Sequence, residues 1–138
     1  MTLEAAYIFD VDGTLTSEEF FNDQVSDLAV NTPIMSIAQS LMRGNRERVA
    51  VVTARPFYLL QDTRKWLNKN GLNPHVLMTR KPGDIREDHD VRVDQVQAVM
   101  EVLGENVVLF DDKLTNCLNV YAKLKVPYIH VRRYGNFN

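Results

Sequence analysis

Short apolar runs that alternate with helically spaced apolar stripes constrain this chain of 138 residues more than any other feature. Ala5 to Val11, Arg48 to Thr53, His75 to Thr79, Asn106 to Phe110 and Pro127 to Val131 each read as a short strand, most of them with the apolar density of one buried on both faces. Behind Thr32-Pro33, an N-cap with a first-turn proline, Ile34, Ile37, Ala38, Leu41 and Met42 repeat at helical spacing. Leu59, Leu60, Thr63 and Leu67 form a second stripe, opened by Pro56 and closed by Gly71. Val93, Val96, Val99, Met100 and Leu103 form a third, stopped by Gly104. Leu114, Cys117, Leu118, Tyr121 and Leu124 form the fourth. Alternation on this scale predicts βαβ units, hence an α/β, Rossmann-like domain over residues 1–138 with a parallel sheet and helices on both faces. No repeat, low-complexity tract or linker interrupts it.

In open sheets of this kind, ligands bind beyond the carboxyl ends of the strands. Asp10 ends the first strand, Thr53 ends the second, and Asp111-Asp112 follow the fourth. Three polar groups from distant positions therefore converge at one edge. Buried carboxylates are costly unless their charge is offset, and Asp10, Asp12, Asp111 and Asp112 concentrate negative charge. A hard cation with oxygen ligands offsets it, and Mg²⁺ suits a few carboxylates with a phosphate and water. The histidines, His75, His89 and His130, are scattered and match no zinc-site spacing.

Beside such a cation an aspartate can attack phosphorus and form an aspartyl-phosphate. A second group must then protonate the leaving oxygen and activate water. Asp12 lies two residues from Asp10, on the same side of an extended chain. Gly13 permits a tight backbone there, Thr14 can hydrogen-bond the turn, and Thr53 offers a hydroxyl for phosphate oxygens. The transferring phosphoryl group also needs a cationic side chain.

These residues stand in motifs that resemble those of the haloacid-dehalogenase (HAD) phosphatase superfamily: FDVDGTLT the first, VVTAR the second and VVLFDD the fourth. The resemblance implies Asp10 as nucleophile, Asp12 as general acid/base and Thr53 as a phosphate ligand. It also implies Mg²⁺ held by Asp10, the backbone carbonyl of Asp12 and Asp111, supported by Asp112. A narrower resemblance covers most of the chain. TAR (Thr53 to Arg55), DTRKWL (Asp62 to Leu67), KPGDIREDHDVR (Lys81 to Arg92) and FDDKLTN are similar to the 3′-phosphatase domain of phage polynucleotide kinase-phosphatases. Gly83, Asp84, Arg86 and Asp88 match that family's GDxRxD stretch, and Arg55 its arginine after the second motif. Where those domains carry a lysine four residues past the last aspartate, this chain has Arg92. Arg92 is thus expected as the third-motif cation, oriented by Asp88, with Lys81 as the competitor. Arginine keeps the charge but replaces a compact ammonium with a planar fork. Arg55, Arg86, Asp88 and Lys81 become candidates for contacts to substrate.

Fewer than twenty residues separate Thr16 from the helix near Ile34, so no large cap domain is expected. An uncapped site admits bulky substrates, such as a polynucleotide end. By the narrower resemblance the expected activity is an Mg²⁺-dependent phosphomonoesterase that removes 3′-phosphates from nucleic-acid ends. A phosphatase of free nucleotides or other small phosphoesters is the alternative. A receiver-like signalling domain or an inactive binding module are further readings. Phe57, Tyr58 and Trp66 could stack on bases or simply pack.

A formal charge of -2 gives no bulk attraction to nucleic acid, which would have to rest on a local basic patch. No kinase-type phosphate loop occurs in the sequence, so any kinase or ligase partner is expected to be a separate chain. A lone cysteine, Cys117, fits a reducing compartment. With no signal peptide and no membrane-length apolar run, a cytoplasmic protein without membrane contact is expected.

Overall fold

The computed structural model describes residues 4–17, 28–44 and 46–132. The C-terminal Tyr134 to Asn138, whose role the sequence leaves open, lies outside them. Five parallel strands form one sheet in the order β3-β2-β1-β4-β5: β1 (Ala6–Asp10), β2 (Arg48–Pro56), β3 (Val76–Arg80), β4 (Val107–Asp111) and β5 (Tyr128–His130). Four helices alternate with them: α1 (Thr32–Arg43), α2 (Leu60–Lys69), α3 (Asp88–Leu103) and α4 (Leu114–Leu124).

Period-two alternation along the strands divides the core into two halves. Phe9, Val49 and Val51 point to the face covered by α1 and α2, where Met35, Ala38, Trp66 and Leu67 meet them. Ile8, Ala50 and Val52 point to the opposite face, against Val93, Val96 and Val99 of α3 and Val120 of α4. Phe9 and Phe110, paired across β1 and β4, stack with ring centroids 4.4 Å apart. No cap domain is present among the described residues, and none of their helices is long and apolar enough to cross a membrane.

Three elements differ from the sequence expectation. β2 runs on to Pro56, and a short turn over Phe57–Leu59 precedes α2. Pro56 keeps extended backbone (φ -64, ψ 155) and pairs with Arg80, so it closes a strand instead of opening a helix. α3 starts at Asp88, a full turn before its apolar stripe, because its first turns bury Arg92 and Gln95 as well as valines. α4 buries Asn116, Cys117 and Val120, while Leu114, Leu118 and Tyr121 stay about half exposed. The helix is turned so that a polar residue, Asn116, reaches the end of β4.

The sheet order places a topological switch between β1 and β4, from which the chain winds outward in both directions. Asp10 and Asp111 end those two strands. The crevice beyond them is where an α/β sheet binds its ligand.

Candidate active site

After Asp10 the chain leaves the sheet through a tight turn over Val11–Leu15. Thr16 closes it: its N–H donates to the Val11 carbonyl (3.0 Å), its hydroxyl to the same carbonyl (3.3 Å), and the Gly13 N–H to that hydroxyl (3.0 Å). Thr14, expected in that part, instead donates its hydroxyl to Asp112 (3.2 Å) and ties the turn to the end of β4. Gly13 sits at φ +84, and a Cβ there would stand 2.3 Å from Asp112 Oδ2. Close approach and left-handed backbone both demand glycine. Gly13→Ala should therefore cost roughly 1–2 kcal/mol from the backbone alone, displace Asp112 and weaken divalent-cation binding, as calorimetric titration would measure.

Arg55 closes a fork on Asp12, Nε to Oδ2 at 2.9 Å and Nη2 to Oδ1 at 2.6 Å, and its Nη1 reaches the Thr63 hydroxyl on α2. Paired N–H···O contacts of this kind fix orientation as well as charge. Thr53 is fully buried behind Ala54. Its hydroxyl donates to Asp12 Oδ2 (3.5 Å) and accepts from the Arg55 N–H (3.1 Å). The hydroxyl expected to face phosphate is engaged in placing Asp12.

Arg92, 1% exposed, fills the space between the two switch-point strands. Nη2 donates to Asp10 Oδ1 at 3.0 Å and Nη1 to Asp111 Oδ2. Gln95, one helical turn on, accepts from Arg92 Nε (3.1 Å) and donates to the Thr53 carbonyl (2.9 Å). Gln95 thus links the cation of α3 to the second strand. The sequence reading missed it, although its i+3 spacing from Arg92 was visible. Gln95→Ala should leave a buried N–H and a buried carbonyl without partners. The expected loss is about 1–3 kcal/mol in urea denaturation, with kcat lowered more than KM.

Asp111 also accepts from the Lys113 N–H (2.9 Å) and from Asn116 Nδ2 (3.1 Å). Burial raises the Asp10 pKa well above the usual carboxylate range. Arg92 opposes that shift, while Asp111 and Asp112 add to it. Burial also raises Asp111 against the pull of Arg92. Arg92 itself loses stability as a cation through burial, but Asp10 and Asp111 outweigh that loss and raise its pKa. Clustered carboxylates with raised pKa values accommodate added positive charge.

Oxygens of Asp10, Asp111 and Asp112 lie within 4.8 Å of one another and could hold a metal ion. A set of carboxylate donors suits a hard divalent cation. The surroundings fit as well, since Asn116 Oδ1 is a buried acceptor with no hydrogen-bond partner among the described residues. Its amide orientation is fixed by the bond from Nδ2 to Asp111. A hydrated cation brings the donors that such an acceptor lacks. Asn116 closes the FDDKLTN stretch quoted above, but the sequence assigned it no role of its own.

Asp10 and Asn116 also line a cavity of about 260 Å³ whose wall includes Asp12, Arg55, Pro56, Arg92 and Lys113. Asp88 stands at its edge, accepting from Arg80 Nη2 (2.5 Å) and Lys113 Nζ (2.7 Å). Burial pushes its pKa up, but Lys113, with Arg80 and Arg92, outweighs that and leaves it lowered. The expectation that Asp88 orients Arg92 is replaced by this geometry. Asp88 holds Arg80 and Lys113, whereas Gln95, Asp10 and Asp111 hold Arg92. Arg86 and Lys81 lie elsewhere, along a groove between β3 and α3. There Arg86 pairs with Asp84 (2.8 Å) and Asp94 (2.6 Å). Of the two candidate cations, Arg92 is the one brought to the carboxylates.

The family model for the polynucleotide kinase PNKP phosphatase domain matches residues 4–137. No curated protein matches the sequence. Chains in two solved structures of the Pnkp1/Rnl/Hen1 complex, one of them called an RNA repair complex, superpose with TM-scores of 0.79 each. Identities are 22% and 24%, over 98% and 99% of this chain but only 44% and 48% of those chains. This chain spans less than half their length. The HAD domain of effector protein Lem4 from Legionella pneumophila matches with a TM-score of 0.63 at 9% identity, over 97% of this chain and 88% of that one. At such identities the likeness establishes the fold.

Proposed function

The chain belongs to the polynucleotide kinase PNKP phosphatase-domain family of HAD-superfamily phosphatases, and from that premise we propose that it removes the 3′-phosphate from polynucleotide ends. In this reading residues 1–138 form one phosphatase domain, Mg²⁺ is the cofactor and an aspartyl-phosphate is the intermediate. The observation that carries it is the convergence of Asp10, Asp12 and Arg92 on one small uncapped cavity beside a carboxylate cluster.

Asp10, Asp111 and the Asp12 carbonyl would hold Mg²⁺, with Asp112 beside them. The cation would match negative charge on the phosphoryl oxygens. An oxygen of Asp10 attacks phosphorus, and the bond from phosphorus to the 3′ oxygen breaks. Asp12 gives that oxygen its proton. In the second step the Asp12 carboxylate takes a proton from water, whose oxygen attacks phosphorus. Inorganic phosphate leaves and the Asp10 carboxylate is restored. The arriving phosphate offers Arg55 a second anion to grip, which loosens its fork on Asp12 for proton transfer. Arg92 keeps Asp10 in place and faces the phosphoryl group with Lys113. Thr53 acts through Asp12 and Arg55. Asp88 acts through Lys113, and Arg86 and Lys81 are left for more distant contacts with the strand.

The uncapped site supports a polymeric substrate, since a strand must continue away from its end. Kinase and ligase steps would then belong to other chains or segments, and the likeness to part of a chain in an RNA repair complex supports such a setting. The lone cysteine supports a reducing, cytoplasmic setting.

Phosphate release with Mg²⁺ from a 3′-phosphorylated oligonucleotide, its 5′-phosphorylated twin and a 3′-mononucleotide tests the assignment. EDTA serves as the control. Strong preference for the 3′-phosphorylated oligonucleotide is expected. Equal or faster release from the mononucleotide would replace it with a phosphatase of free nucleotides.

A further inference from the structure

We infer that Phe57 and Tyr58 form a stacking ledge for the terminal nucleobases of the substrate strand, a site that extends the proposed polynucleotide 3′-phosphatase reading and rests on it. The catalytic cavity holds about 260 Å³, below the roughly 300–1,000 Å³ of pockets that enclose drug-sized ligands. Charged side chains make up most of its wall. It can take a phosphoryl group and a cation, but Ala54 and Pro56 alone of its wall are apolar, which leaves a base little surface. The rest of a nucleotide must therefore lie on the rim.

Among the described residues, two exposed aromatics directly follow the cavity wall in sequence. Pro56 is part of the cavity wall, and the next two residues, Phe57 and Tyr58, are 51% and 63% exposed. Their rings meet edge to face with centroids 5.8 Å apart, so each braces the other while both stay at least half exposed. Trp66, the remaining aromatic in this segment that stacking might have used, is buried and donates its indole N–H to the Leu28 carbonyl.

The support beneath the pair is rigid. Leu59 is buried against the α1/α2 face of the core. Pro56 is paired with Arg80, and Arg80 donates to the carbonyls of Ala54, Asp84 and Arg86 and to Asp88. A fixed aromatic pair one residue from the reaction cavity is pre-organised for a planar apolar partner. A nucleobase linked to the phosphate in the cavity meets that description, and every base has a π-face, so the ledge does not select sequence.

The test uses Phe57→Ala/Tyr58→Ala with a 3′-phosphorylated oligonucleotide and with glycerol phosphate, which has no base. For the oligonucleotide KM should rise roughly 5- to 100-fold with kcat within about twofold, while KM for glycerol phosphate stays put. Phe57→Trp/Tyr58→Trp should restore the oligonucleotide KM. Binding to the Asp10→Asn protein of an oligonucleotide ending in 2-aminopurine should quench that base, and the double alanine change should abolish the quenching. An unchanged oligonucleotide KM, or quenching that persists without both rings, overturns the ledge. So does a wild-type dimer that the double variant converts to monomer, because the pair would then be a subunit contact. If the wild type releases phosphate from glycerol phosphate and none from the oligonucleotide, the function assignment fails instead, and the ledge with it.

Discussion

Asp10→Asn is expected to lower Mg²⁺-dependent phosphate release at least roughly 10⁴-fold while the protein remains folded. The carboxylate oxygen that attacks phosphorus is replaced by an amide that cannot. The same change removes a charge whose burial is unfavourable even beside Arg92. Arg92 keeps Asp111 and Gln95 as partners. The metal-free variant should therefore melt at or above the wild-type temperature. Circular dichroism melts and a phosphate-release assay on one preparation check both parts. Activity within tenfold of the wild type would remove Asp10 from the chemistry.

Arg92→Ala is expected to act in the opposite way, on stability first. Arg92 is the cation that lies directly between Asp10 and Asp111, with Asp112 close by. Its removal leaves buried carboxylates facing one another without compensation, a change that typically costs about 3–5 kcal/mol. At roughly 2–4 °C per kcal/mol for a domain near this size, the melting temperature should fall by about 6–20 °C. Mg²⁺ should recover part of that loss, since a bound cation restores positive charge among the same oxygens. Arg92→Lys should fall between, keeping the charge but losing the bond to Gln95. A metal-free Arg92→Ala protein that melts like the wild type would contradict this account of the site.

Most of the architecture was legible because each buried strand carried its own apolar run and each helix its own spacing. The meeting of Asp10 and Asp111 was legible because each carboxylate ends an apolar run that reads as a buried strand. The misreadings have specific causes. α4 looked amphipathic through Leu114, Cys117, Leu118 and Tyr121, yet of these only Cys117 is buried, and Asn116 and Val120 turn inward with it. What orients that helix is the hydrogen bond from Asn116 to Asp111, which no hydrophobic pattern encodes. α3 began a turn earlier than its valines implied, since Arg92 and Gln95 occupy core positions that a sequence assigns to solvent. The third-motif cation was ambiguous between Arg92 and Lys81, and what separates them is tertiary: Arg92 lies on α3 and Lys81 directly after β3. One points to the crevice, and the other lies with Asp84 and Arg86 along the β3 groove. Gln95, a spacer joining two elements, was silent because its partner on β2 is a backbone carbonyl.

The most direct test of the central claim is to look for the phosphoryl group on the protein. Wild-type protein would be mixed with Mg²⁺ and an oligonucleotide radiolabelled in its 3′-phosphate, then quenched in acid within the first turnover. The account predicts acid-stable, base-labile label on the wild-type chain, mapped by peptide analysis to Asp10 and absent from Asp10→Asn. Release of labelled phosphate with no label ever on the wild-type chain, or label of equal intensity on Asp10→Asn, would contradict it.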